Sequence, residues 1–267
     1  MSVAAQVTAP ATLTIAADAP PLLRYALRLG DTCLILGQRL GEWVGHAPAI
    51  EEDMALANLA LDCVGQARLL LSYAAAIDGR GLTEDDLAFR RDEADFFNLL
   101  LAEQANGDFG RTVVRQFLLD AFLVELFGAL ARSTDARLAA IGAKSEKELR
   151  YHLRYSQGWL IRLGDGTDES HRRVQQAVDE LWRFTAEFWA TDAVDTTLIA
   201  QGVAPDPAAL RGPFRRRVAQ CLADAALTQP ADAPLALSGR DGRHTEPFGR
   251  LLAEMQFMQR AYPGAQW

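Results

Sequence analysis

The stretch MALANLALDCVGQARLLLSYAAAI, Met54 to Ile77, carries only two charges, Asp62 and Arg68, in 24 residues. Its apolar residues follow helical rather than alternating spacing. The acidic run Glu51-Glu52-Asp53 just before it suits the positive end of a helix dipole, and Asp78-Gly79-Arg80-Gly81 stops it. A helix that is apolar on all sides must be covered on all sides. Two arrangements do this: a central hairpin inside a large helical bundle, or burial against a second chain.

Working outward, the pattern stays helical and no segment alternates well enough for a strand. Pro20 and Pro21 open a first helix to about Val44, closed by Gly45-His46-Ala47-Pro48. After the second helix, shorter helical pieces are expected over about Thr83–Arg91 and Asp95–Gln104. Longer helices follow over about Gly110–Arg132, Asp135–Leu163 and Asp168–Trp189, and further ones over about Pro207–Leu227 and Glu246–Ala261. The helix from Asp168 repeats Val174, Val178, Leu181, Phe184 and Phe188 in steps of three and four, with Arg172, Arg173 and Asp179 opposite. Residues 1–21 lack any Lys or Arg and read as a flexible tail, not a secretory signal, and 22–267 read as one all-α domain.

The 267 residues include 27 basic and 35 acidic side chains, a net charge of −8, which argues against nucleic acid. Only Lys144 and Lys147 are lysines. The most apolar later stretch, Phe117 to Ala131, is interrupted by Asp120 and Glu125 and is too short to span a bilayer. Cys33, Cys63 and Cys221 are widely spaced among apolar neighbours and read as core residues in a reducing, cytoplasmic setting. The run Arg215-Arg216-Arg217 could meet phosphates but reads first as a solvated helix face.

A bundle core invites a carboxylate-bridged di-iron site, built from a Glu on each of two helices and Glu-x-x-His on each of two others. The acids inside apolar helices are Asp31, Asp62, Asp120 and Glu148, and each needs an ion, a cation or several donors. In the Glu-x-x-His register the second helix offers Cys63 and Gln66. The later helix has Tyr151 three residues after Glu148, with His152 displaced to the fourth. Of four histidines only His152 falls on an apolar stripe, so a two-histidine core is not available. Asp62, Asp120, Glu148 and His152 then form a vestigial polar cluster, with Arg39, Arg68, Arg115 or Arg150 as expected partners and no metal or catalytic residue of the chain's own. His244, before the cap candidate Thr245, reads as structural unless a partner or a CoA-like anion docks there.

Several separated segments, in order, resemble the structural (PaaC-type) subunits of bacterial phenylacetyl-CoA epoxidases. They are Arg28-Leu29-Gly30-Asp31, Arg39-Leu40-Gly41-Glu42-Trp43, Gly45-His46-Ala47-Pro48, Ala55-Leu56-Ala57-Asn58 and Gly65-Gln66-Ala67-Arg68. Arg150-Tyr151-His152-Leu153-Arg154, Leu181-Trp182-Arg183-Phe184-Thr185, His244-Thr245-Glu246 and Leu252-Ala253-Glu254-Met255-Gln256 continue the likeness. The resemblance implies a ferritin-like helical bundle with additional helices and no di-iron centre. It would pair with a homologous di-iron catalytic subunit, a small bridging subunit and a reductase carrying FAD and an iron–sulfur cluster and fed by NADPH. It leaves open contact with the CoA thioester. The pairing of two bundles would cover the first two helices, with Leu34, Gln38, Arg39, Trp43 and Leu59 as contact candidates, and Trp43 and Arg39 as anchors. A free-standing di-iron oxygenase and a helical adaptor without an enzyme partner are the alternatives.

Overall fold

The computed structural model describes residues 12–263 and 265. They form ten α-helices: α1 (Pro21–Gly41), α2 (Ile50–Asp78), α3 (Glu84–Phe89), α4 (Leu100–Glu103), α5 (Phe109–Leu130), α6 (Ala136–Gly164), α7 (Asp168–Leu181), α8 (Ala193–Ala200), α9 (Pro207–Asp224) and α10 (Glu246–Ala261). No sheet is present among the described residues; the fold is an all-α, ferritin-like bundle with added helices.

The four long helices make two hairpins, α1–α2 and α5–α6, and α2 packs on α6. Two glycines set how closely α1 and α2 approach. A Cβ on Gly30 would lie 2.8 Å from Leu71 Cδ2, and one on Gly37 would lie 3.2 Å from the Ala60 carbonyl oxygen. The added helices close the bundle, α7 and α9 against α5, and α4 and α8 against α1. As a result α1 is buried along nearly its whole length, polar Arg28, Asp31, Thr32 and Arg39 included.

The chain departs from the expected elements in three places, each with a packing reason. Helix over Asp95–Gln104 reduces to a 3-10 turn, Glu93–Asp95, and the single turn of α4. Between them the buried chain is held open by side chains. Phe97 N–H donates to Asp31 Oδ2 (2.9 Å), Leu99 N–H to Thr32 Oγ1 (3.1 Å) and Leu100 N–H to Glu187 Oε2 (2.7 Å). Buried backbone donors need partners, and these replace helical ones.

The helix expected to reach Trp189 ends at Leu181 and tightens to 3-10 geometry over Trp182–Trp189. Three residues per turn bring Trp182, Thr185 and Phe188, all buried, onto one row. Phe188 there stacks on Phe122 at 4.3 Å between ring centroids and meets Phe214 edge-on at 5.8 Å. Helix α8, unassigned from sequence, begins with a reciprocal Asp192–Asp195 capping box, and Asp192 also pairs with Arg28.

The flexible tail expected over 1–21 needs correction. Residues 1–11 lie outside the described residues. From Leu13 onward the segment is docked: Leu13 and Ile15 are buried, Leu13 N–H donates to the Arg90 carbonyl (2.8 Å) and Ile15 N–H to Asp95 Oδ1 (2.8 Å).

Candidate functional site

The polar cluster forms between α1, α2, α5 and α6. His152 Nε2 meets Asp62 Oδ2 at 3.0 Å, tying α6 to α2, with the imidazole fully buried and the carboxylate partly exposed. Asp120, on α5, accepts from Gln116 Nε2 and Ser156 Oγ, both at 2.7 Å. Glu148 accepts from Lys144 Nζ (2.5 Å) and from Gln66 Nε2 (3.0 Å); Gln66 Oε1 faces the Cys33 thiol at 3.7 Å. Burial pushes the Asp120 carboxyl up to about 6, against the opposing pull of His152 charge and the Ser156 and Gln116 hydrogen bonds. Burial likewise pushes the Cys63 thiol well up, so it stands as a neutral small side chain.

These residues do not suit a di-iron pair. That chemistry needs acid and imidazole ligands converging in twos. Here the imidazole is taken by Asp62, the amide of Gln66 occupies Glu148, and Asp120 is tied to an amide and a hydroxyl. Among the described residues no three His, Cys, Asp or Glu side chains come together as a metal site. The arrangement locks the register of α2, α5 and α6 by side-chain hydrogen bonds.

The expected arginine partners are corrected. Asp31 pairs with Arg91, both side chains fully buried. Arg68 pairs with Glu84 and Arg150 with Glu146. Arg39 donates to the Glu103 and Pro247 carbonyls and pairs with Glu42. Arg115 is buried without a carboxylate: Nη1 donates to the Gln104 carbonyl (2.7 Å), while Nε and Nη2 find no partner. Burial, with the like charge of Arg39, pulls its pKa down to about 9.

The contact candidates are also corrected. Leu34, Leu59 and Arg39 are buried within the chain, and Gln38 is largely covered. Trp43 is half-buried, its Nε1–H donating to Thr112 Oγ1 (3.0 Å) and its ring edge-on to Phe109. What sequence reading missed is the opposite side of α2. Ile50, Met54 and Leu61 are 72, 62 and 68% exposed, Val64 continues the stripe, and Tyr151 of α6 is exposed as well. By length and composition alone α2 could cross a membrane; in the fold Leu56, Leu59, Cys63, Gln66 and Leu70 seat it in the bundle, leaving that one apolar face open.

At His244 both ring nitrogens already have partners within the chain. Its Nδ1 lies 2.7 Å from Glu103 Oε2 and its Nε2 3.0 Å from the Phe96 carbonyl oxygen, and the ring stacks on Phe248. Thr245 does not cap α10 with its side chain; its hydroxyl donates to Glu103 Oε1 (2.7 Å).

The shifted Asp120 pKa has a measurable consequence. The folded carboxyl keeps its proton to about pH 6, whereas an unfolded one releases it near pH 4. The folded state therefore binds more protons in that window, and stability falls as pH rises through it. Asp120→Asn should flatten that decline by on the order of 2 kcal/mol, read by urea denaturation at pH 4 and pH 7. An unchanged slope would mean that Asp120 is ionised in the fold.

The family model described as "Phenylacetic acid catabolic protein" matches residues 2–267. A relative from Escherichia coli (strain K12), one of the subunits of 1,2-phenylacetyl-CoA epoxidase, is 54% identical over 246 residues, covering 92% of this chain and 99% of the relative.

Proposed function

The chain belongs to the phenylacetic acid catabolic protein family, and from that membership we propose that it is the structural subunit of a phenylacetyl-CoA epoxidase. In this reading it contributes no catalytic site. It supports a homologous ferritin-like subunit that holds the di-iron centre, alongside a small bridging subunit and a reductase with FAD, an iron–sulfur cluster and NADPH, in the cytoplasm. The likeness to the E. coli epoxidase subunit supports the assignment to that complex. The ion-paired, amide-filled cluster around His152 and Asp120 supports the non-catalytic role.

The observation that carries the pairing is the open apolar face of α2. Ile50, Met54, Leu61 and Val64 recur in steps of four, seven and three along one side. A continuous exposed stripe of this kind marks a contact surface more often than a solvated one. A second helical bundle laid along α2 would bury it by ridges-into-grooves packing. Asp62, partly exposed beside the stripe, would be covered with its ion pair to His152 already made.

Leu61→Glu tests this. Leu61 is 68% exposed in the chain alone, so its own melting temperature should hardly move. Association with the catalytic subunit should weaken by at least about 2 kcal/mol, roughly thirtyfold, measured by titration calorimetry or co-purification. Undiminished association would remove α2 from the contact. Iron near two equivalents in the purified chain would restore the free-standing oxygenase, and a monodisperse monomer that ignores the catalytic subunit would favour the adaptor.

A further inference from the structure

A groove of about 1340 Å³ runs between α6 and α9 over the C-terminal half of α5, on the side of α6 away from the α2 stripe. Its lining includes small residues, Gly128, Ala129, Ala143, Gly158 and Ala204, and a Cβ placed on Gly158 would meet nothing within 4 Å. Five cationic side chains border it, and Arg216 adds a sixth in the adjoining recess, against Glu125, Glu146 and Asp206. This excess of positive charge lies on a chain of net charge −8.

The acids are already engaged. Glu125 pairs with Arg217, Glu146 with Arg150, and Asp206 caps α9 by accepting from Ala208 N–H. Arg132, Lys147, Arg154 and Arg216 are left without a carboxylate in reach among the described residues. Arg132 donates only to the Gly128 carbonyl, and Arg154 lies over the Tyr151 ring.

We propose that this groove receives an acidic amphipathic helix from a partner subunit of the complex, a second contact distinct from the α2 face. This rests on the reading of the chain as an epoxidase subunit. The space lies between two helices, α6 and α9, and over a third, α5. A helix about 10 Å across, rising 1.5 Å per residue, fills roughly 120 Å³ per residue, so the groove holds about three turns. Apolar anchors one turn apart would rest on the small-residue floor. Their Asp and Glu neighbours would meet Arg132, Lys147, Arg154 and Arg216, giving charge complementarity along the rim.

The two lysines make the test specific. Lys144 sits beside Glu148 near α2, and Lys147 borders the groove. A carbodiimide joins an amine to a carboxylate by an amide bond with loss of water, adding no spacer. Applied to the assembled complex, it should link Lys147 to an Asp or Glu of a partner subunit. Arg154→Glu with Arg216→Glu should abolish that link and weaken assembly about tenfold or more at low salt, the difference closing near 0.5 M salt. A complex that assembles at full strength in that variant and gives no Lys147 link overturns this proposal and leaves the subunit reading intact. A parent chain that forms no complex with the other subunits overturns both. Protection of Lys147 by coenzyme A on the chain alone would assign the groove to a small anionic ligand instead.

Discussion

Asp31→Ala is expected to destabilise the chain by about 3–5 kcal/mol, the cost of leaving a buried ion unpaired, and to lower Tm by roughly 10 °C. The Arg91 guanidinium is fully buried, pairs with Asp31, donates to the Leu87 and Asp95 carbonyls and lies 4.1 Å over the Phe96 ring. Asp31 also accepts from Phe97 N–H. The alanine variant therefore strands a cation and a backbone donor in the core between α1 and the 89–99 segment. Out of a total stability of about 5–15 kcal/mol, that is a large share. Asp31→Leu combined with Arg91→Met should recover much of the loss, because removing both charges spares the unpaired one. Chemical denaturation of the three proteins decides. A single variant within about 1 kcal/mol of the parent would mean that the segment relaxes to hydrate Arg91.

The second large effect is expected at Glu103. Its carboxylate is fully buried and accepts from Asn98 Nδ2 (2.8 Å), Thr245 N–H (2.6 Å), Thr245 Oγ1 (2.7 Å) and His244 Nδ1 (2.7 Å). His244 faces an acceptor at each nitrogen, and only the imidazolium donates to both. Burial works against that charge, but the Glu103 hydrogen bond and charge, with the Phe96 carbonyl, raise the His244 pKa overall. The sign follows from linkage: the contribution is complete below the unfolded imidazole pKa near 6.5 and is lost as pH rises through the higher folded value. Glu103→Ala should cost about 3–5 kcal/mol at pH 6 by leaving His244 charged and alone, and should abolish the decline in stability above neutral pH. Glu103→Gln keeps the shape and should lose the pH dependence with a smaller penalty. A parent protein equally stable from pH 6 to pH 9 would show that His244 is neutral in the fold.

Much of the helical framework was legible from residue order. Ile50–Asp78 and Glu246–Ala261 end where Asp78-Gly79 and the last apolar step of α10 place them. A 3.6-residue repeat and a stop signal are local properties, visible without any neighbour. The ligand registers are likewise read from residue order: Cys63, Gln66 and Tyr151 stand where a Glu-x-x-His pattern would place its ligands. The local signal failed where side chains from distant elements took over backbone hydrogen bonds, as Asp31, Thr32 and Glu187 do for residues 97–100.

The family and the all-helical class thus belong to the order of residues, since motif spacing and apolar period survive without coordinates. Partner choice does not. Asp31 finds Arg91 sixty residues away, His152 finds Asp62 across ninety, and none of the nearer arginines could be preferred in advance. The open face was equally undecidable, because α1 and α2 both read as apolar nearly all round. Only the docking of α4 and α8 on α1, with α2 left uncovered on one side, buries Leu34 and Arg39 and leaves Met54, Leu61 and Val64 exposed. A hydrophobic pattern records how much surface a helix must bury, but which neighbour buries each side depends on how the rest of the chain packs around it.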